Sequence, residues 1–283
     1  MLKISVFTVM LPDLTPEAAA PALKEAGYDG VEWRVTHVPD SRKSEPPSFW
    51  GNNLCTLAPT LDDAARAKNV TEAAGLEIAG LGTYINVGDL AATEQAMQFA
   101  QTCGAPQVRV SPGGWPGDLP YHDAFARATT FLGGVQELAQ QYKLRALVEL
   151  HHGTLTPSAS LGHRLVSQFD PQYIGVLHDA GNMVYEGYEH YRMGIELLGP
   201  YLAHVHIKNA AYNRPEGGGV WQGRWSPLED GVVNWDVLFG ALRDVGYDGW
   251  LGVEDFSQAR PTREALQHNI TFLKEAVERN FNA

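Results

Sequence analysis

Residues 145–179 read RALVELHHGTLTPSASLGHRLVSQFDPQYIGVLHD. The run at 145–151 alternates side-chain character as a strand does, and 174–179 is a second run of strand type. Between them Ser158 opens a helical stretch over 158–168, with a hydroxyl suited to capping a free N–H. Strand, helix and strand in immediate succession make a parallel pair joined by a helical crossover. The same unit recurs on both sides. Strand-like runs lie at 3–9, 30–35, 77–84, 107–111, 202–208 and 250–256. Helical stretches lie at 16–26, 60–74, 89–103, 121–142, 188–198, 235–245 and 262–279. Thr15 and Asn234 stand at N-cap positions, and Gly27, Gly75 and Gly104 stand where helices stop. Eight strands alternating with eight helices predict an α/β fold, a closed (β/α)8 TIM barrel forming one domain over residues 1–283. The rival is a doubly wound open sheet, but the glycine-rich first turn such sheets carry is missing from VMLPDLT, residues 9–15.

Composition narrows the function. With 21 basic and 33 acidic side chains the formal charge is −12, which argues against general binding to nucleic acid or an anionic membrane. At 44% hydrophobic residues the chain can bury a core. Cys55 and Cys103 are too few for a disulfide framework, so a reducing, cytoplasmic setting is expected. The opening MLKISVFTVMLPDLT is broken by Pro12 and Asp13 and reads as a first strand rather than a signal peptide. No uncharged run reaches the roughly 18–20 residues that span a bilayer. The Pro/Gly-rich stretches 37–59, 112–120 and 209–231 all follow strands, on the face where barrels carry their catalytic loops.

Strand parity then assigns side chains to the barrel interior. In the fifth strand Ala146, Val148 and Leu150 face the helices, leaving Leu147, Glu149 and His151 inside. In the seventh, Val205 and Ile207 face out and His204, His206 and Lys208 face in. The eighth puts Glu254 and Phe256 inside, the second Glu32 and Arg34, and the fourth Gln107, Arg109 and Ser111. The sixth is ambiguous; Asp179 points in if Val176 and His178 point out. Charge therefore gathers at the C-terminal strand ends. A ring of paired ions would explain any one of these residues. It explains the set poorly, because stability alone favours apolar residues of similar size.

Glu149, Asp179, His206 and Glu254 come from four successive strands. Three carboxylates and one imidazole suit one divalent ion of the harder kind, Mn²⁺ first, then Mg²⁺ or Co²⁺, with Zn²⁺ less favoured in the absence of a thiolate. Such a shell is anionic and needs cations nearby, for which Lys208, Arg109 and Arg34 are candidates. Two glutamates on one ion can also move protons on opposite faces of a sugar, while the ion polarises a carbonyl and holds the enediolate.

The segments VELHHG, LHDAGN, HVHIKN and GVEDF, in that order, resemble the metal strands of the xylose isomerase-like (sugar phosphate isomerase/epimerase) TIM barrels. The opening GYDGVEWR and the turn EDGVVNW at 229–235 add to the likeness, which runs from about residue 3 to 279. That superfamily includes ketose 3-epimerases, hydroxypyruvate isomerase, inosose dehydratase, 3-dehydroshikimate dehydratase and endonuclease IV. The resemblance implies Glu149, Asp179, His206 and Glu254 as metal ligands and Glu149 with Glu254 as the acid/base pair. It implies a small carbohydrate or polyol as substrate and a homo-oligomer, dimer or tetramer. The chain departs from the pattern three residues after the metal aspartate, where the family often has histidine and this sequence has Asn182, which can hydrogen-bond a hydroxyl but cannot shuttle a proton. It also departs from endonuclease IV, whose extra metal ligands find no counterpart in GLGTYI, VRVSPG or GRWSPL.

The expected enzyme is thus a metal-dependent isomerase or epimerase. The alternative is a dehydratase or lyase on the same metal site, of the inosose dehydratase or 3-keto-glycoside-cleaving type. A sugar-binding barrel without catalysis is a third possibility. Glu32, Arg34, Arg109, His151, Asn182, Lys208 and Trp115 are the expected substrate contacts. His151 could instead be a hydrogen-bonded neighbour of the metal, Lys208 a plain charge partner, and the loop tryptophans Trp115, Trp221 and Trp225 a subunit contact. The run at 216–219 reads as a flexible lid, not a phosphate cradle.

Overall fold

The computed structural model describes residues 2–115 and 119–281. Eight parallel strands close a barrel: β1 (Lys3–Phe7), β2 (Gly30–Val35), β3 (Glu77–Thr83), β4 (Gln107–Val110), β5 (Arg145–Glu149), β6 (Ile174–Asp179), β7 (Leu202–Ile207) and β10 (Trp250–Val253). Closure is made by β1 against β10, with Ile4 opposite Leu251 and Val6 opposite Val253. Around it lie α1 (Pro16–Ala26), α2 (Leu61–Ala73), α3 (Leu90–Cys103), α4 (Tyr121–Tyr142), α5 (Ala159–Val166), α7 (Tyr191–Leu198), α8 (Trp235–Asp244) and α9 (Thr262–Phe281). Every strand and helix read from periodicity is present.

Local chemistry accounts for several boundaries. Ser158 and Asn234 accept from the backbone N–H three residues on, opening α5 and α8. Thr15 occupies the N-cap of α1 without a side-chain bond; there Pro16, with no N–H to satisfy, starts the helix. Gly27 and Gly104 end α1 and α3 in left-handed geometry, at φ 101° and 82°.

Two elements depart from the sequence reading. A short helix α6 (Ala180–Glu186) follows β6 directly, and the stretch 209–231, read as loop, contains a hairpin of β8 (Asn209–Asn213) and β9 (Gln222–Ser226). Strict alternation of eight and eight is corrected accordingly. Seven residues of helix are too few to show a 3.6-residue period, and the hairpin strands are short and half exposed, so neither carries a hydrophobic pattern.

Residues facing out of the barrel pack on the helices. Val31, Trp33, Ala146, Val148, Val205, Ile207, Leu251 and Val253 are wholly buried there, each larger aliphatic contributing about 1.5–3 kcal/mol relative to exposure. Trp33 also donates its indole N–H to Thr71 Oγ1 at 3.0 Å. His178 is buried with its ring toward Tyr191 on α7, which resolves the sixth strand: His178 faces out and Asp179 faces in. Parity alone could not decide this because the neighbours Val176 and Leu177 are both apolar and both buried. Among the described residues no helix is long and apolar enough to cross a membrane.

Both cysteines are buried free thiols, and burial pushes Cys103 up to about 11 and Cys55 higher. Iodoacetamide at pH 8 is expected to leave both unmodified in the folded protein and to label both in denaturant; mass spectrometry reads the difference.

Candidate metal centre

The C-terminal ends of β5, β6, β7 and β10 bring Glu149, Asp179, His206 and Glu254 together, with one donor atom from each lying within 4.8 Å of the others. His206 Nδ1 is 3.6 Å from Glu149 Oε1, 3.6 Å from Asp179 Oδ2 and 3.7 Å from Glu254 Oε2. All four residues are buried. Each side chain is aimed by something specific. Asp179 caps α6, accepting from the Asn182 N–H at 2.8 Å through Oδ1, which turns Oδ2 toward the cluster. Glu149 accepts from Arg109 Nη1 at 2.7 Å through Oε2 and from Asn182 Nδ2 at 3.2 Å through Oε1.

His206 is aimed from behind. Its Nε2 lies 2.9 Å from Glu32 Oε2, a carboxylate that can only accept, so Nε2 carries the proton. Deeper still, Gln107 Nε2 donates to the Ala79 carbonyl at 2.9 Å and to His204 Nδ1 at 3.0 Å. His204 therefore keeps its proton on Nε2, which faces Glu32 Oε2 at 3.3 Å. The inward position 252 on β10 is glycine for want of room. A Cβ there would stand 2.7 Å from His204 Nε2 and 3.0 Å from His206 Cδ2.

The donor set fits a divalent ion on three counts. His206 Nδ1 is fully buried and takes part in no hydrogen bond, while Asp179 Oδ2 beside it is held by ion pairing with Lys208; orphaned buried polar atoms are rare without a missing partner. Ligands at about 2.1 Å on one ion stand roughly 3.0–3.5 Å apart, close to the separations seen. Charge agrees as well. Four buried carboxyl groups (Glu32, Glu149, Asp179, Glu254) crowd around His206 beside the buried cations Arg109 and Lys208, a surplus of acidic groups that a divalent ion offsets.

Electrostatics separates the two glutamates. Burial opposes ionisation of both, but Arg109 holds Glu149 well below the ordinary carboxylate range, helped by His206. For Glu254 burial wins, with Glu149 and Asp179 repelling its charge, and its carboxyl is raised despite Lys208 and His206. Burial also works against charge on Lys208 and His206, yet the carboxylates around them hold both above their ordinary values. Lys208 Nζ bonds Glu254 and lies 2.8 Å from Asp179 Oδ2. Because this cation competes with an ion for the same oxygens, Lys208→Met is expected to tighten Mn²⁺ binding roughly tenfold while turnover falls. Calorimetric titration and a parallel rate measurement would show the two effects moving in opposite directions.

A cavity of about 580 Å³ opens over the cluster, lined by Arg109, Glu149, His151, Lys208 and Glu254 together with Trp50, Tyr84, Trp225 and Phe256. Of the residues expected to touch substrate, Arg109, His151 and Lys208 line it. Glu32, Arg34, Asn182 and Trp115 do not. Glu32 lies one layer deeper, behind His206. Asn182 sits in the first turn of α6, spent on Glu149. Arg34 braces the loop after β2 through the Phe49 carbonyl at 3.0 Å and Thr56 Oγ1 at 3.1 Å. Trp115 is half-exposed and packs on Tyr121. For Glu32 and Arg34, parity reports which way a side chain points but not how far up the barrel it ends.

A family model described as a xylose isomerase-like TIM barrel matches residues 20–276. The chain belongs to that family. An inosose dehydratase from Geobacillus kaustophilus is 27% identical over 153 residues, 50% of this chain and 47% of that protein. The chain thus spans about half the length of the curated relatives it matches. Among solved structures, an IOLI protein with a bound zinc atom superimposes at a TM-score of 0.75, with 16% identity and all of both chains covered. An L-ribulose 3-epimerase gives 0.73 at 16% identity, covering 99% of this chain and 96% of that one. At such identities these likenesses show the fold alone.

This xylose isomerase-like barrel also holds two aromatic cavity residues that the sequence pattern does not single out, Trp50 and Tyr84. Trp50 and Tyr84 lie in segments that follow strands, where any aromatic is a candidate for the mouth of a barrel, and that was the available signal.

Proposed function

We propose that the protein is a divalent-metal-dependent enzyme that abstracts a proton next to the carbonyl of a sugar or cyclic polyol. The observation that carries this reading is the convergence of Glu149, Asp179, His206 and Glu254, with His206 Nδ1 otherwise unpartnered, at the base of a cavity. An ion bound there supplies Lewis-acid polarisation of the carbonyl and offsets the charge that develops on its oxygen. The carboxylate-rich donor set suits Mn²⁺, with Mg²⁺, Co²⁺ and Zn²⁺ as the ions to compare.

The rest falls to the protein's own groups. Glu149, kept ionised by Arg109, takes the α-proton, and Glu254, raised by burial, delivers one. Lys208 and Arg109 line the cavity and hydrogen-bond substrate oxygens, and Trp225 and Phe256 cover the cavity against water. Two outcomes share this first step. Protonation of carbon gives an epimerase or isomerase; protonation of a departing β-hydroxyl gives a dehydratase. The relatives named inosose dehydratase favour the second. In the first, Glu254 protonates carbon; in the second, oxygen.

Incubation of the Mn²⁺-loaded protein with a keto-sugar and keto-inositol panel in D₂O tests the proposal. Deuterium at the α-carbon supports it, and a new ultraviolet-absorbing enone identifies elimination. Absence of exchange with every member of the panel would remove the proposed chemistry.

A further inference from the structure

A second chamber, of about 810 Å³, opens at the same end of the barrel beside the cavity over the metal cluster. Trp50, Trp225 and Phe256 line both, so the partition between them is made of aromatic rings, Trp50 lying 5.1 Å and Trp225 5.9 Å from Phe256. Trp50 remains half exposed at this partition. The outer chamber mixes charges of both signs, with Arg42 and Arg260 facing Asp13, Glu45 and Asp255. Arg260 is already paired with Glu229 at 2.8 Å. That balance disfavours a polyanion and suits a neutral molecule with many hydroxyls. Aromatic faces beside scattered donors and acceptors are what a pyranose, apolar on its ring faces and polar at its rim, packs against.

The far wall adds an independent sign. Gln258 holds a left-handed backbone at φ 55°, one of two non-glycine residues with positive φ among the described residues. The other, Lys143, is the C-cap of α4. Gln258 follows no helix. It is exposed and lines the outer chamber. Glycine would adopt this φ freely, whereas a residue with a side chain is strained there, and such strain concentrates at binding sites.

We propose that the outer chamber is the subsite for the second ring of a two-ring carbohydrate whose carbonyl-bearing ring lies over Glu149 and Glu254. This rests on the reading of the metal centre above and extends it to a substrate class, keto-disaccharides and related glycosides. Trp50 and Trp225 sandwich the junction between rings, and the Gln258 amide takes a hydroxyl of the outer ring.

The test uses the full-length, Mn²⁺-loaded protein and titration calorimetry with 3-keto-glucose and with the 3-keto derivatives of maltose, cellobiose and trehalose. At least one disaccharide is expected to bind about tenfold tighter than the monosaccharide. Gln258→Gly, which relieves the backbone and removes only the side chain, lowers that ratio about fivefold, and Trp50→Ala lowers it at least as far. A wild-type ratio of one overturns the subsite. If α-proton exchange of the monosaccharide persists in that case, the metal-centre reading survives alone; loss of exchange as well removes both. A dimer in solution whose crosslinks map to Arg42 and Gln258 also overturns it, since the chamber would then be a subunit contact.

Discussion

Glu149→Gln is expected to lower turnover by roughly 10²–10⁴-fold and to abolish α-proton exchange with solvent. The substitution keeps the shape of the side chain and removes the charge that both accepts the proton and faces Arg109 at 2.7 Å. Glu254→Gln is expected to lose turnover to a similar extent but to retain measurable exchange, because the group that first takes the proton is intact. The asymmetry follows from the opposite displacement of the two carboxyls, Glu149 down and Glu254 up. Exchange followed by NMR, beside a thermal melt to establish folding, checks both. Equal loss of exchange in the two variants would mean that the roles are not divided in this way.

The second large effect concerns a residue that never reaches the cavity. Glu32→Gln is expected to weaken Mn²⁺ binding by about 10–100-fold, the usual range for a group that orients a metal-binding histidine. His206 loses the carboxylate that sets its tautomer at 2.9 Å, and the cluster loses one of its negative charges. Gly252→Ala separates these causes. It changes no charge but drives a methyl group against His204 and His206, and it too is expected to weaken binding about tenfold. Calorimetric titration of chelator-stripped protein measures both. A charge effect alone would leave Gly252→Ala with wild-type affinity.

Legibility followed local physics. The barrel could be read because most of its strands alternate and most principal helices carry their own period and stop signals, as in Leu90–Cys103 closed by Gly104. Glu149, His206 and Glu254 could be read for the same reason, since a polar side chain on the apolar-alternating end of a strand announces its direction; Asp179 could not, because Val176 and Leu177 are both apolar. What failed is what local pattern does not encode. Glu32 looks like Glu149 in sequence, as a polar group pointing inward, and only its depth makes it a support for His206 instead of a cavity wall; Asn182, named from its place after Asp179, is turned to Glu149 by the short helix that follows β6. Composition does not distinguish Trp115, which packs on Tyr121, from Trp50, which lines the cavity, because the path of a loop depends on distant contacts such as Arg34 with the Phe49 carbonyl.

The sequence by itself determined the α/β alternation, the parallel order of the strands and the direction in which Glu149, His206 and Glu254 project, because periods of two and 3.6 residues are properties of the backbone. The tertiary structure alone decided distance. Whether four donors from strands up to a hundred residues apart meet within 4.8 Å depends on how far each strand is sheared along the barrel, and so does the sharing of one aromatic wall by two chambers. Shear is set by the closure of the whole sheet, which no single segment carries.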